Sequence, residues 1–213
     1  MENQNLPTKG IKTIHFSSHF LFNSLNVVQH YIISDDRKAA LSSLNMFSSF
    51  FRQYILLVNN EVISVEDEVN LLRIYLKMQE LRYSDKLVVN LHCCDHVPLN
   101  RKIPSFLLAV IVEDYMENLL QKGKGDPELK VHLSTDCGFL KIIIEAGGFG
   151  SPVYSTGNGS FSPFPSGELW RKYIHSINLQ RKVPVQYLEE KVHNHCLPFC
   201  HLRRLSLKIP FED

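Results

Sequence analysis

The residues best placed to do chemistry in this chain lie in one run near its start, His19-Phe20-Leu21-Phe22-Asn23-Ser24-Leu25-Asn26. One histidine heads an amphipathic, helix-compatible segment, and asparagines follow four and seven residues later. Positions i, i+4 and i+7 share one stripe of a helix, so His19, Asn23 and Asn26 form a polar line. An imidazole nitrogen is a good nucleophile at neutral pH, and neighbouring amides can orient it by hydrogen bonding. A second set is Glu113-Asp114 and Glu117-Asn118, two acid-containing pairs one helical turn apart in an apolar stretch. Asp114 and Asn118 fall on the same face, and oxygen ligands from either suit Mg²⁺. The plainer reading of these four is a solvent-facing polar strip. A third set crowds His193, His195, Cys196, Cys200 and His201 into nine residues. Imidazole and thiolate together suit zinc. The Cys-x3-Cys spacing is not that of a zinc knuckle, however, and Pro198-Phe199 reads as a packed turn, so no zinc site is expected there. Cys93-Cys94 ends a strand and reads as core packing.

The first run resembles the phosphoacceptor motif of the LytS-type sensor histidine kinases, Pro-His-Phe-Leu-Phe-Asn-Ser-Leu-Asn, with Ser18 in place of the proline. The stretch from Ser64 to Tyr83 is similar to the family's connector, with Glu66, Glu68, Tyr75, Glu80 and Arg82-Tyr83 in the expected places. The resemblance implies that His19 accepts a phosphoryl group from ATP as a phosphoramidate and passes it to the aspartate of a response-regulator receiver domain. It also implies a homodimer, and ATP and Mg²⁺ as cofactors. The family's ATPase helix, Ile-Pro-Pro-x-Leu-Leu-x-Pro-Leu-Val-Glu-Asn-Ala-x-Lys-His-Gly, has its counterpart in Ile103 to Gly123. Spacing from Ile103-Pro104 aligns Glu113-Asp114 with the motif's Glu-Asn. Identity favours Glu117-Asn118, followed by Lys122-Gly123. Both registers stay open. The family's adenine-binding Asp-Asn-Gly-x-Gly turn corresponds to Ala146-Gly147-Gly148-Phe149-Gly150, which keeps Gly148 and Gly150 and loses the aspartate. Alanine cannot accept the adenine amino hydrogen, and an unpaired donor costs about 1–3 kcal/mol. Glu145 should point to the opposite face of the strand. Of the phosphate-cradling glycine loop only Ser155-Thr156-Gly157-Asn158-Gly159-Ser160 remains, and Ile177-Asn178-Leu179-Gln180-Arg181, similar to the helix that follows that loop, comes much later.

Composition sets the frame for these sites. The 213 residues are 44% hydrophobic and 21% charged, enough for a real core in one large or two small domains. The net charge of +1 makes no electrostatic case for a nucleic-acid or membrane partner. No apolar run approaches 18 residues, and the polar Met1-Glu2-Asn3-Gln4-Asn5 start is unlike a signal peptide. Five cysteines make no disulfide framework and suggest a reducing, cytoplasmic setting.

The elements that must position the site follow from periodicity. Residues 1–9 read as a leader. A helix is expected over 10–33, with Ile14, Leu21, Leu25, Val28 and Ile32 as a coiled-coil-like seam and His19 beside it. Ser34-Asp35-Asp36 reads as a turn and cap. A second helix to Val58 carries Ala40, Leu44, Phe47, Phe51, Tyr54 and Val58. One hairpin cannot bury both faces, so a dimeric four-helix bundle over 10–61 is expected, with packing onto the chain's own second domain as the alternative. Ser64 to Asp67 is a capping box opening a third helix. Strands are expected over 86–93, 129–134, 139–145 and 202–209, with a hairpin turn at 135–138. Helices are expected over 103–121, with Pro104 in the first turn, over 168–182, and in a shorter piece from Pro184 to about Asn194. The fold class is therefore α+β, the helical hairpin followed over 62–213 by an α/β sandwich of the histidine-kinase ATPase type, degraded in its adenine and glycine boxes. The function expected is two-component signalling through His19, by phosphorelay if self-phosphorylation is lost. The alternative is a dimeric pseudokinase scaffold that binds partners without catalysis.

Overall fold

The computed structural model describes residues 18–83, 87–122, 128–147, 168–179, 182–193 and 201–211. Two helices, α1 (Ser18–Ile33) and α2 (Arg37–Leu57), form an antiparallel hairpin. The Asp36 carboxylate caps α2 by accepting from the Ala39 N–H at 2.9 Å, and Asp35 makes the turn with a positive φ. The short strand β1 (Val62–Ser64) leads into α3 (Val65–Tyr83). Ser64 caps α3 as expected: the Asp67 N–H donates to Ser64 Oγ at 3.0 Å, and the Asp67 carboxylate accepts from the Ser64 hydroxyl at 2.6 Å rather than from its backbone N–H as in a full capping box.

Strand β2 (Val88–Cys93) and strand β3 (Lys102–Pro104) follow, then α4 (Leu107–Lys122). Here the structure corrects the expected start of the fourth helix. Ile103 and Pro104 are extended and pair antiparallel with Ile63 and Val62. A residue before proline is pushed out of the helical region, and Ile103 is buried in this two-stranded ribbon. The ribbon itself, only three residues a side, has no alternation long enough to be read from sequence.

Strands β4 (Glu128–Asp136) and β5 (Phe139–Gly147) are joined by Cys137-Gly138, both at positive φ, the signature of a type I′ hairpin turn. Helix α5 (Glu168–Asn178) precedes β6 (Gln186–His193) and β7 (His201–Pro210). The second correction falls on β6, where a short helix was expected after Pro184. All eight residues pair antiparallel with β7, so sheet pairing overrides a local sequence that Glu189, Glu190 and Lys191 made look helical. The main sheet runs β2-β4-β5-β7-β6, parallel between β2 and β4 and antiparallel elsewhere.

One face of this sheet, through Leu129, Val131, Leu133, Leu140, Ile142, Ile144, Leu205 and Leu207, joins a single core with α3, α4 and α5. The other face carries Lys130, His132, Lys141, Glu145 and Lys208 and is open or half-open. The core continues into the hairpin. Phe20 of α1 packs edge-on against Phe50 of α2 and tilts onto Tyr75 of α3, with ring centroids 5.2 and 5.0 Å away, and Tyr54 meets Phe106 at 5.1 Å.

That contact shifts the expected seams by about one position. The inward stripe is Phe20 and Val28 on α1, and Ala40, Ser43, Phe50, Tyr54 and Leu57 on α2. Of the expected seam residues, Leu25, Ile32, Leu44 and Phe51 face out instead. The alternative of packing onto the chain's own second domain is realised for one face of the hairpin, which lies on α3; among the described residues the other face carries exposed apolar side chains. Among the described residues no helix is long and apolar enough to cross a membrane.

Candidate functional site

His19 lies in the first turn of α1, immediately before Phe20. Phe20 is buried, and its clamp between Phe50 and Tyr75 holds the helix start against α2 and α3. Ser24 Oγ donates to the Phe20 carbonyl at 2.8 Å, within the same helix. Asn23 is half-buried and Asn26 exposed, each on the stripe that position 19 shares. Position 19 is therefore set by a helix whose next residue, Phe20, is packed into the core.

Helix α4 is enclosed on all sides over its first ten residues, and that enclosure includes Glu113 and Asp114, 2% and 8% exposed. The solvent-strip reading of this pair is thereby corrected. A buried carboxylate requires hydrogen bonds, a cation or a proton to offset its lost hydration. Hard oxygen donors of this kind fit Mg²⁺. Glu117, Asn118 and Lys122 follow on the same helix, in its last two turns.

The residues that the family resemblance aligns with an adenine-binding turn sit differently. Ala146 is buried on the helix-facing side of β5 and offers no acceptor. Glu145 faces the other way, as expected, where Arg204 Nε donates to it at 2.8 Å and the Arg204 guanidinium approaches to 2.6 Å. It is therefore unable to replace the missing aspartate. Asn178, part of the string similar to the family's later helix, instead ties α5 to the start of β6: its side chain accepts from the Val185 N–H at 2.8 Å and donates to the Val185 carbonyl at 3.1 Å. Gly148, Gly150 and the 155–160 glycine string lie outside the described residues, as do His195, Cys196 and Cys200.

One residue of consequence received no role from the sequence. Glu68 of α3 is fully buried, and its carboxylate accepts from the backbone N–H groups of Phe106, Leu108 and Ala109 at 2.8, 2.7 and 3.1 Å. It caps α4 from another helix, satisfying donors that a helix start leaves without intrahelical partners. Burial pushes its pKa from 4.5 up to about 7, against the downward pull of those three N–H donors. Tyr173 of α5 closes the same corner by donating to the Ser105 carbonyl. The available signal was positional, since Glu68 occupies a place in the apolar rhythm Val65, Glu68, Leu72, Tyr75.

Comparison with known proteins places these features. A profile described as histidine kinase matches residues 14–87, which takes in α1, α2 and α3. Sensor protein LytS of Staphylococcus epidermidis is 25% identical over 155 residues, 72% of this chain and 26% of the relative. Sensor protein LytS of Streptococcus mutans is 27% identical over 132 residues, 62% of this chain and 22% of the relative. The chain thus spans about a quarter of the length of these curated relatives. Among solved structures, the catalytic domain of histidine kinase ThkA overlays 70% of this chain and 93% of its own, with 9% identity and a TM-score of 0.46.

Proposed function

From the membership of this chain in the LytS-type sensor histidine kinases, we propose that it is a dimeric two-component signalling protein whose His19 carries a phosphoryl group to a receiver-domain aspartate. The observation that carries this reading is the intact His19-to-Asn26 motif at the head of a helix whose Phe20 is anchored in the core. A nucleophile that must meet two partners in turn needs a fixed base and an accessible flank. Asn23 and Asn26 are the candidates for orienting its ring. Residues 10–61 would then form the dimerisation and phosphoacceptor unit, and 62–213 the ATPase-like unit.

Glu113, Asp114, Glu117, Asn118 and Lys122, with Gly148 and Gly150, are the candidate nucleotide-site residues, with Asp114 and Asn118 as the pair that would hold Mg²⁺. The metal would neutralise phosphate charge, and the enclosure of α4 would exclude water from that side. With Ala146 at the adenine position, binding of ATP should be weak, so His19 would be loaded mainly by another donor. The second reading, a non-catalytic pseudokinase scaffold, is favoured by the same alanine.

Labelling decides between them. Phosphoramidate or a cognate kinase should place an acid-labile, alkali-stable phosphoryl group on the protein. His19→Gln should abolish it, while His15→Gln and His30→Gln should not. Failure of every donor to label the wild type, or label persisting in His19→Gln, would leave the scaffold reading.

A further inference from the structure

On the open face of the main sheet, away from the helix-covered core, three metal-ligating side chains converge. His92 is on the edge strand β2, Cys94 follows that strand by one residue, and His132 is on β4. The parallel register sets His92 directly opposite His132. Pairing continues one residue further, with the Cys94 N–H donating to the Leu133 carbonyl at 3.0 Å, so Cys94 emerges on the same face as His92. Cys94 Sγ lies 3.5 Å from His132 Nε2 and 3.8 Å from His92 Nε2, and the two imidazoles stack with centroids 4.9 Å apart and planes at 21°.

We propose that His92, Cys94 and His132 form a zinc site. A tetrahedral Zn²⁺ with Zn–S of about 2.3 Å and Zn–N of about 2.0–2.1 Å places sulfur and nitrogen roughly 3.6 Å apart. The two S–N separations, 3.5 and 3.8 Å, bracket that value. All three ligand atoms lie within 4.8 Å of one another, so rotation of one ring closes the remaining side of the triangle. The ligand set, two imidazoles and a thiolate, is the borderline-soft combination that zinc prefers.

The surrounding charges do not oppose a cation. Lys130, which lines the groove, pairs with Glu128 at 2.9 Å, and Glu145, which also lines it, pairs with Arg204. The groove is open to solvent, which leaves the fourth position for water or an incoming ligand. Bound metal would fasten β2, which among the described residues pairs only with β4, to the body of the sheet. Strands β2 and β4 lie at the opposite end of the sheet from β6, and α4, which carries the proposed nucleotide residues Glu113 and Asp114, packs on the sheet's other face.

The test is titration of the chelator-treated full chain with Co²⁺ and then Zn²⁺. One equivalent of Co²⁺ should give a thiolate-to-cobalt charge-transfer band with tetrahedral ligand-field intensity, and Zn²⁺ should displace it and raise the Tm. The double variant Cys196→Ser/Cys200→Ser removes the other cysteine–histidine cluster and should keep the band. Cys94→Ser should abolish the band, and His132→Gln should weaken binding at least ~10-fold, as expected for loss of a first ligand or its support. Each variant should keep its metal-free circular dichroism. Absence of a charge-transfer band in the wild type, its survival in Cys94→Ser, or its loss in the double variant would overturn the assignment.

Discussion

At the residue scale, the chemistry turns on single positions whose neighbours are now known. Ala146 is buried, and in the proposed reading it stands where an aspartate would accept from adenine. Calorimetry should show weak or absent Mg-ATP binding to the wild type. A dissociation constant near ~1 μM, about −8 kcal/mol, would contradict the reading of a degraded site. Ala146→Asp should tighten binding about ten- to a hundredfold if the rest of the pocket is intact, because one unmet donor costs roughly 1–3 kcal/mol.

Glu68 gives a second residue-level prediction, with its sign set by the direction of the pKa shift. Its folded-state pKa of about 7 lies above the ordinary 4.5, so between these values the native state holds a proton that the unfolded chain has released. Its contribution to stability is therefore largest below pH 4.5 and declines as pH rises toward 7, by roughly 3 kcal/mol in all. Denaturant melts across that window should show the decline in the wild type relative to Glu68→Gln, which has no carboxyl to titrate. Glu68→Ala should cost about 3–5 kcal/mol below pH 4.5, because three buried N–H groups lose their acceptor, and less as pH rises toward 7.

At the element scale, local chemistry and tertiary contact divide the work. The β4–β5 hairpin depends on its turn, where Gly138 sits at φ +83° with nothing within 4 Å of an added Cβ. Gly138→Ala should therefore act through backbone strain alone and cost about 1–2 kcal/mol, with Gly138→Asn milder because asparagine tolerates this region. Thermal melts separate the two. The start of α1, by contrast, is held by packing. Phe20→Ala removes the ring between Phe50 and Tyr75 and should cost about 3–5 kcal/mol, loosening the helix that presents His19.

At the scale of the whole molecule, one face of the hairpin is apolar and exposed among the described residues. Phe22, Leu25 and Ile32 on α1 and Leu41, Leu44, Phe51 and Ile55 on α2 are exposed, and they recur at alternating steps of three, four and seven residues. That is the a/d rhythm of a helical bundle seam, and a twofold partner would bury it. If the proposed dimer forms through this face, Leu44→Asp with Phe51→Asp should convert it to monomer in sedimentation. Each buried apolar side chain is worth about 1.5–3 kcal/mol and counts twice across a twofold axis, so a shift of at least a hundredfold in dimer affinity is expected. Because both residues point away from the core, the folded monomer should persist, and a mass unchanged by these substitutions would exclude this face as the interface.

What the sequence determined by itself was whatever depends on short range. The His19 motif, the caps at Asp36 and Ser64, the Cys137-Gly138 turn and the alternation of β4, β5 and β7 are all decided within a few residues, by helix periodicity, side-chain capping and positive φ. The family relationship followed from the same short strings. The tertiary structure decided everything that depends on a partner distant in the chain. Ile103-Pro104 became a strand because Val62-Ile63 offered it a ladder, and 186–193 became a strand because β7 did. The hairpin seam turned by one position because α3 supplied Tyr75, a contact worth more than an ideal heptad facing water. Glu68 acquired its role from a helix start some forty residues on. His132 came to stand beside His92 and Cys94 only through a parallel register that no local pattern encodes. Local propensity contributes tenths of a kcal/mol per residue, while burial and ladder pairing contribute whole ones, so where the two disagreed the distant partner prevailed.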